Sequence, residues 1–212
     1  MKKEKLINTA LILAVVTVIY NIAEGLVSVF FGLSDETLAL LGFGVDSFVE
    51  VLSGIGILHM IYRMKKTGKN DVASMDRFER KALKITGTAF YILTGGLIAG
   101  SVLNIVTGAK PQTTTPGIII SVLSILTMYF LMTRKLRIGK KLNSDAIIAD
   151  ANATKACFYL SFILLASSGL YELLAIGWLD IAGSLGIAWF AFSEGREAFE
   201  KMHSKKLNCA CN

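Results

Sequence analysis

The sequence predicts an all-α membrane protein, a six-transmembrane-helix bundle with both termini in the cytoplasm. Three observations predict it. Apolar residues make up 53% of the 212 and charged residues only 18%, and the mean hydropathy is +0.58, values far from those of a soluble domain. The apolar residues gather into six runs separated by short polar segments. The Lys and Arg residues fall in alternate segments: 3 before the first run, 8 between the second and third, 5 between the fourth and fifth, and 4 after the last. Lys110 alone lies on the other side and Lys155 lies inside the fifth run, so 20 of the 22 basic residues share one side. Basic residues stay on the cytoplasmic side of short loops, which sets the orientation. The same rule accounts for the net charge of +6, and no nucleic-acid partner is needed to explain it.

Span 1 covers about residues 6 to 33. Its MKKEK start resembles a signal peptide, but the apolar run continues past a normal signal core and meets no clear cleavage site, so it is read as a retained span. It carries Asn21 and Glu24 on adjoining parts of one face. Ser34-Asp35-Glu36 reads as a turn in which Ser34 caps the next helix. Span 2 covers about residues 37 to 62 and holds Asp46 and Glu50 within GFGVDSFVEVLSGIGIL. Span 3 covers about residues 83 to 106, with Gly96 and Gly100 as a small-residue contact pattern. Both prolines lie in GAKPQTTTPG, which breaks the chain before span 4, residues 117 to 132. TRKLRIGKK closes that span. Span 5 covers about residues 145 to 176 and span 6 about residues 179 to 192. Residues 1–200 are expected to form the transmembrane domain and 201–212 a short cytoplasmic tail.

Asp46 and Glu50 carry the strongest signal. Four residues apart on a helix, they share one stripe. A carboxylate at membrane depth costs about 2.5–3.5 kcal/mol on insertion scales. Two on one stripe also repel each other, so a divalent cation or a shared proton must compensate. The bland alternative is a structural pair neutralised by a proton or a basic neighbour. At 1.5 Å per residue, Glu50 sits near mid-membrane and Asp46 about 6 Å nearer the outside. Glu24 lies at about the depth of Asp46, and Cys157 at about that of Glu50, with Thr154 and Asp150 lower on the same face of span 5. Glu24 is a further ligand or proton carrier, or else a glutamate bonded to Asn21. Cys157 is a thiolate ligand suited to zinc or cadmium rather than magnesium or calcium, or else a small buried side chain. Asp150 is a fourth ligand or lines the cytoplasmic entrance, or else is an interfacial acid near Lys155.

Other candidates carry less. Glu172 and Asp180 flank the outer turn in solvated or capping roles. Cys209 and Cys211 hand over soft metal or belong to a disordered, reduced tail. His59 and His203 are read as surface residues. No Ser or Cys has a His base at membrane depth and no nucleotide motif occurs, so the chain is not read as an enzyme.

TLALLGFGVDSFVE, SDAIIADANATKACFYLS and GWLDIAGSLGIAWFAFSEGREAFE together make the chain resemble the transmembrane part of the cation diffusion facilitator family. The resemblance implies six spans, cytoplasmic termini and a metal site of paired residues on spans 2 and 5. The family's pattern is His or Asp, three residues, then Asp, on both spans. Here Asp46 falls opposite Ala153 and Glu50 opposite Cys157, so the chain departs from that pattern at three of four positions. The resemblance is to a short form without a cytoplasmic metal-sensing domain, since about 20 residues follow span 6. It implies proton-coupled antiport that exports a divalent metal from the cytoplasm, with Zn2+ first and Cd2+, Mn2+, Fe2+ or Co2+ as alternatives. The metal is cargo, and no permanently bound cofactor is expected. Membrane lipid, protons and a second copy of the chain are the expected partners, in a prokaryotic plasma membrane. A non-transporting bundle that senses metal or binds a partner is the alternative.

Overall fold

The computed structural model describes residues 2–35, 37–67, 77–108 and 110–203. Its described residues form six helices: α1 Lys2–Ser34, α2 Leu38–Thr67, α3 Arg77–Thr107, α4 Thr115–Leu142, α5 Asp145–Leu174 and α6 Trp178–His203. The first five are long and apolar enough to cross a membrane. The sixth, at 26 residues, has the length but is more polar, because it carries Asp180, Glu194 and a charged last third. The chain is an integral membrane protein.

The helices alternate in direction, and contacts at both ends show it. At one end Ile7 and Ala10 of α1 pack with Ile61 of α2, Ile138 of α4 and Ile147 of α5. At that same end Arg80 of α3 donates to the Met202 carbonyl of α6. At the other end Thr37 donates to the Thr113 carbonyl at 3.2 Å, and Tyr171 to the Pro111 carbonyl at 2.6 Å. The start of α1 and the end of α6 therefore share an end, which the basic residues mark as cytoplasmic; it is called the inner end below.

The central helix is α2, which packs against α1, α3, α5 and α6. Half of its apolar window is buried, against 22% for α1 and α3, whose outer faces meet lipid through residues such as Ile19, Phe30 and Ile92. Phe43, Leu93, Leu160 and Ile187 meet in the core. Close approach of α1 to α2 depends on glycine. A Cβ on Gly44 would stand 2.8 Å from the Val29 backbone nitrogen and from the Ser28 Cβ.

Several expectations are revised. α4 runs ten residues past the predicted end of span 4, and α3 starts six residues before the predicted start of span 3, because basic residues continue a helix beyond the lipid without breaking it. Ser34 ends α1 and does not cap α2. The first N–H groups of α2, from Leu38 and Ala39, instead reach across to the Asp180 carboxylate of α6 at 3.0 and 3.1 Å. Glu172 works similarly at the start of α4, accepting from Thr113, Thr114 and Thr115. Within the Gly96/Gly100 pattern, Gly100 faces Leu38 of the same chain, whereas Gly96 has open space beside it. His59 is half-buried between the Phe78 ring, 4.7 Å away, and Glu79, 3.5 Å away, so the surface reading of it does not hold. Cys209 and Cys211 lie outside the described residues.

Replacing Gly44 by Ala tests the α1–α2 approach. With backbone as the opposing atom, overpacking should cost roughly 1–3 kcal/mol. That should lower the thermal midpoint of the detergent-solubilised protein, and an unchanged midpoint would contradict the packing described.

Candidate cation site

Three helices meet at one carboxylate oxygen. Glu50 Oε2 of α2 accepts from Asn21 Nδ2 of α1 at 3.0 Å and from Cys157 Sγ of α5 at 2.6 Å. One turn toward the outer end, Asp46 is 1% exposed, and neither of its carboxylate oxygens has a hydrogen-bond partner. Glu24 of α1 accepts from Ser47 of α2 at 3.1 Å, and the hydroxyls of Tyr20 and Ser124 face it. Its second oxygen is unpartnered, as is the Asn21 carbonyl oxygen. Four buried oxygen atoms from three side chains thus lack partners around the Glu50–Cys157 contact. A buried polar atom without a partner costs about 1–3 kcal/mol, more when charged. No protein donor satisfies this set, which leaves it to a proton, a cation or ordered water.

The groups are near one another without being gathered. Among the described residues no three His, Cys, Asp or Glu side chains stand close enough to hold one metal ion together. Glu50 and Cys157 touch, while Asp46 and Glu24 lie within electrostatic reach of Cys157.

Asp150 is engaged elsewhere. Its carboxylate accepts from Lys135 Nζ of α4 at 2.8 Å, and the same ammonium donates to Thr154 Oγ1 at 3.0 Å. Lys135 is completely buried. The basic neighbour foreseen for Asp150 was Lys155, which is exposed and lies over the Tyr159 ring, 5.5 Å from its centroid. In the sequence Lys135 falls in TRKLRIGKK, beyond the expected end of span 4. Its place in a buried stripe with Met128, Leu131, Ile138 and Leu142, spaced three and four apart, was the available signal.

A cavity of about 350 Å3 lies between α2, α3, α5 and α6. Glu50 lines its deep part, and Glu79, Glu197 and Lys201 line it toward the inner end. The cavity thereby extends from residues near the inner end to Glu50, one partner of the Glu50–Cys157 contact. Glu79 is held by Arg63 Nη2 at 2.9 Å and Glu197 by Lys201 at 2.7 Å. Glu194 of α6 also lines the cavity and was missed in the sequence, where it reads as part of a polar extension.

Residues 9–203 match the family model described as the cation efflux transmembrane domain. The chain belongs to the cation efflux family. Members of this family are membrane transporters of divalent metal cations, and the short stretches on spans 2, 5 and 6 that carried the resemblance lie within the matched region. The chain is also similar to an uncharacterized transporter of the archaeon Methanocaldococcus jannaschii, at 27% identity over 184 residues. The match covers 84% of this chain and 64% of that relative, so the chain spans somewhat less than two thirds of the relative's length. In this cation efflux domain the α4–α5 pair is clamped by a buried lysine.

Lys135→Met should leave the Asp150 carboxylate buried and unpaired. Breaking a buried pair from one side costs about 3–5 kcal/mol, and replacing both partners by apolar residues recovers most of that. The double variant Lys135→Met with Asp150→Leu should therefore be more stable than Lys135→Met alone in mixed-micelle unfolding. A double variant no more stable than Lys135→Met would contradict the pairing.

Proposed function

We propose that the chain carries a zinc-like divalent cation across the membrane in exchange for protons, through a midplane site of Asp46, Glu50 and Cys157, with Glu24 beside it. The observation that supports this most is Asp46, a buried carboxylate with no partner for either oxygen. Carboxylate oxygens beside a cysteine sulfur make a donor set suited to zinc or cadmium rather than to magnesium or calcium. Small shifts of α1, α2 and α5 would bring these donors onto one ion. Asp150, held by Lys135, is left out of the ligand set in this reading and serves to position α5.

Proton exchange follows from the same atoms. A carboxyl or thiol group must shed its proton before it binds metal. Protons and metal therefore compete for one site, and a site exposed alternately to each side exchanges one for the other. The cavity leading from the inner end to Glu50 supports loading from the cytoplasm, and so export. Pairing of two copies belongs to the same proposal. Gly95 and Gly96 leave open backbone on the lipid-facing side of α3 beside exposed Ile92, and crosslinking in membranes that captured only monomer would count against it.

In sealed vesicles a proton gradient should drive zinc uptake by the wild type, and Asp46→Asn should abolish it while the protein still inserts. Stoichiometric zinc binding without flux in the wild type would favour a sensing or partner-binding bundle instead. Acidifying the side that holds the metal should raise the apparent KM for zinc about tenfold per pH unit for one competing proton, and more steeply for two. A KM indifferent to pH would rule out shared occupancy of the site.

A further inference from the structure

Helix α6 bears on the cavity through Glu194. The capping contacts of Asp180 give α2 and α6 a common origin: Asp180 bonds the N–H groups of Leu38 and Ala39, and both helices run from there toward the inner end. Glu50 lies about 18 Å along α2 from Leu38, and Glu194 about 21 Å along α6 from Asp180. Glu194 therefore sits just on the inner side of Glu50, where a cation rising through the cavity arrives. Asp46 and Glu50 both lie within electrostatic reach of it.

The four carboxylates that line the cavity are not equivalent. Arg63 holds Glu79, Lys201 holds Glu197, and Asn21 and Cys157 donate to Glu50. Glu194 shows no hydrogen bond among the described residues, and the positive charge that acts on it, Lys201, is already paired with Glu197. Its helix brings it there through the stripe Ile187, Ala191, Glu194 and Ala198, spaced three and four apart, in which the other three are buried. Beyond Glu50, one turn further from the inner end, the buried Asp46 carboxylate has no protein partner for either oxygen and lies within electrostatic reach of Glu194.

We propose that Glu194 is the receiving ligand of the cation route, taking a divalent cation from the inner cavity and passing it to Glu50 and Asp46. A cation that leaves bulk water for a cavity lined by Ile57, Met60, Phe90 and Phe190 loses hydration, and a carboxylate that no hydrogen-bond donor occupies replaces part of it. The low-dielectric walls concentrate the field of that carboxylate and raise the local cation concentration. Sharing of the ion between Glu194 and Glu50 then shortens the step to Asp46. The assignment rests on the reading of Asp46 and Glu50 as the transport site, and it adds a ligand from a helix that the paired pattern of spans 2 and 5 does not include.

Zinc uptake into sealed vesicles, measured against zinc concentration, tests the assignment. Glu194→Gln should raise KM about tenfold, the equivalent of one lost charged contact, with the maximal rate little changed, whereas Asp46→Asn should abolish uptake. A wild-type KM in Glu194→Gln beside a dead Asp46→Asn overturns the role of Glu194 and leaves the transport site standing. Full uptake by Asp46→Asn removes both. Should Glu194→Gln fail to insert, Glu194→Cys is made together with Cys209→Ser and Cys211→Ser and treated from the inner side with charged methanethiosulfonates, and the same protein with Glu194 intact is treated in parallel so that any reaction at Cys157 is subtracted. The anionic sulfonatoethyl reagent should restore the low KM and the cationic trimethylammonium reagent should not. Equal effects of the two reagents overturn the proposal.

Discussion

The structure depends on a carboxylate that the protein buries without satisfying. Asp46 lies in α2, half of whose apolar window is buried, and neither of its oxygens meets a protein donor. Elsewhere the chain shows that it can satisfy buried acids when structure alone is at stake. Asp180 receives two backbone N–H groups and Glu79 a guanidinium, while Asp150 receives an ammonium on one oxygen and leaves the other without a partner. The contrast separates acids that hold helices together from one that no protein donor engages, as the proposed cation site requires.

The structural acids position the site. Asp180 fixes the start of α2 against α6, and Lys135 with Asp150 clamps α4 to α5. Glycine lets α1 and α2 approach closely at Gly44, two residues from Asp46. Asn21, Glu50 and Cys157 then join α1, α2 and α5 at a single oxygen. That contact is a bundle of modest hydrogen bonds and could be exchanged for metal–ligand bonds without disturbing the two clamps. The division between rigid ends and an exchangeable centre fits the proposed transport, in which the bundle opens and closes around an ion.

Much of the fold was legible in the sequence because its causes are local or one-dimensional. Apolar run length set the number of helices, basic clustering set their alternation, and a 1.5 Å rise set the depths of Asp46, Glu50 and Cys157. What was not legible depends on the lateral arrangement of helices. Asp180 gives no local sign that it caps a helix more than a hundred residues earlier. Lys135 reads as loop because it sits among basic residues, and Glu194 as polar extension because charged residues follow it. Both occupy stripes of three-and-four spacing that continue the buried face of their helices. A charge count overrode a periodicity in each case, and the periodicity was the better guide.

The most direct measurement of the central claim is equilibrium dialysis of zinc against the purified protein, with Cys209 and Cys211 replaced by serine so that tail thiols do not bind metal. The account predicts saturable zinc binding that acid displaces and that Asp46→Asn eliminates. Zinc binding of equal affinity and stoichiometry in the wild type and Asp46→Asn would contradict it.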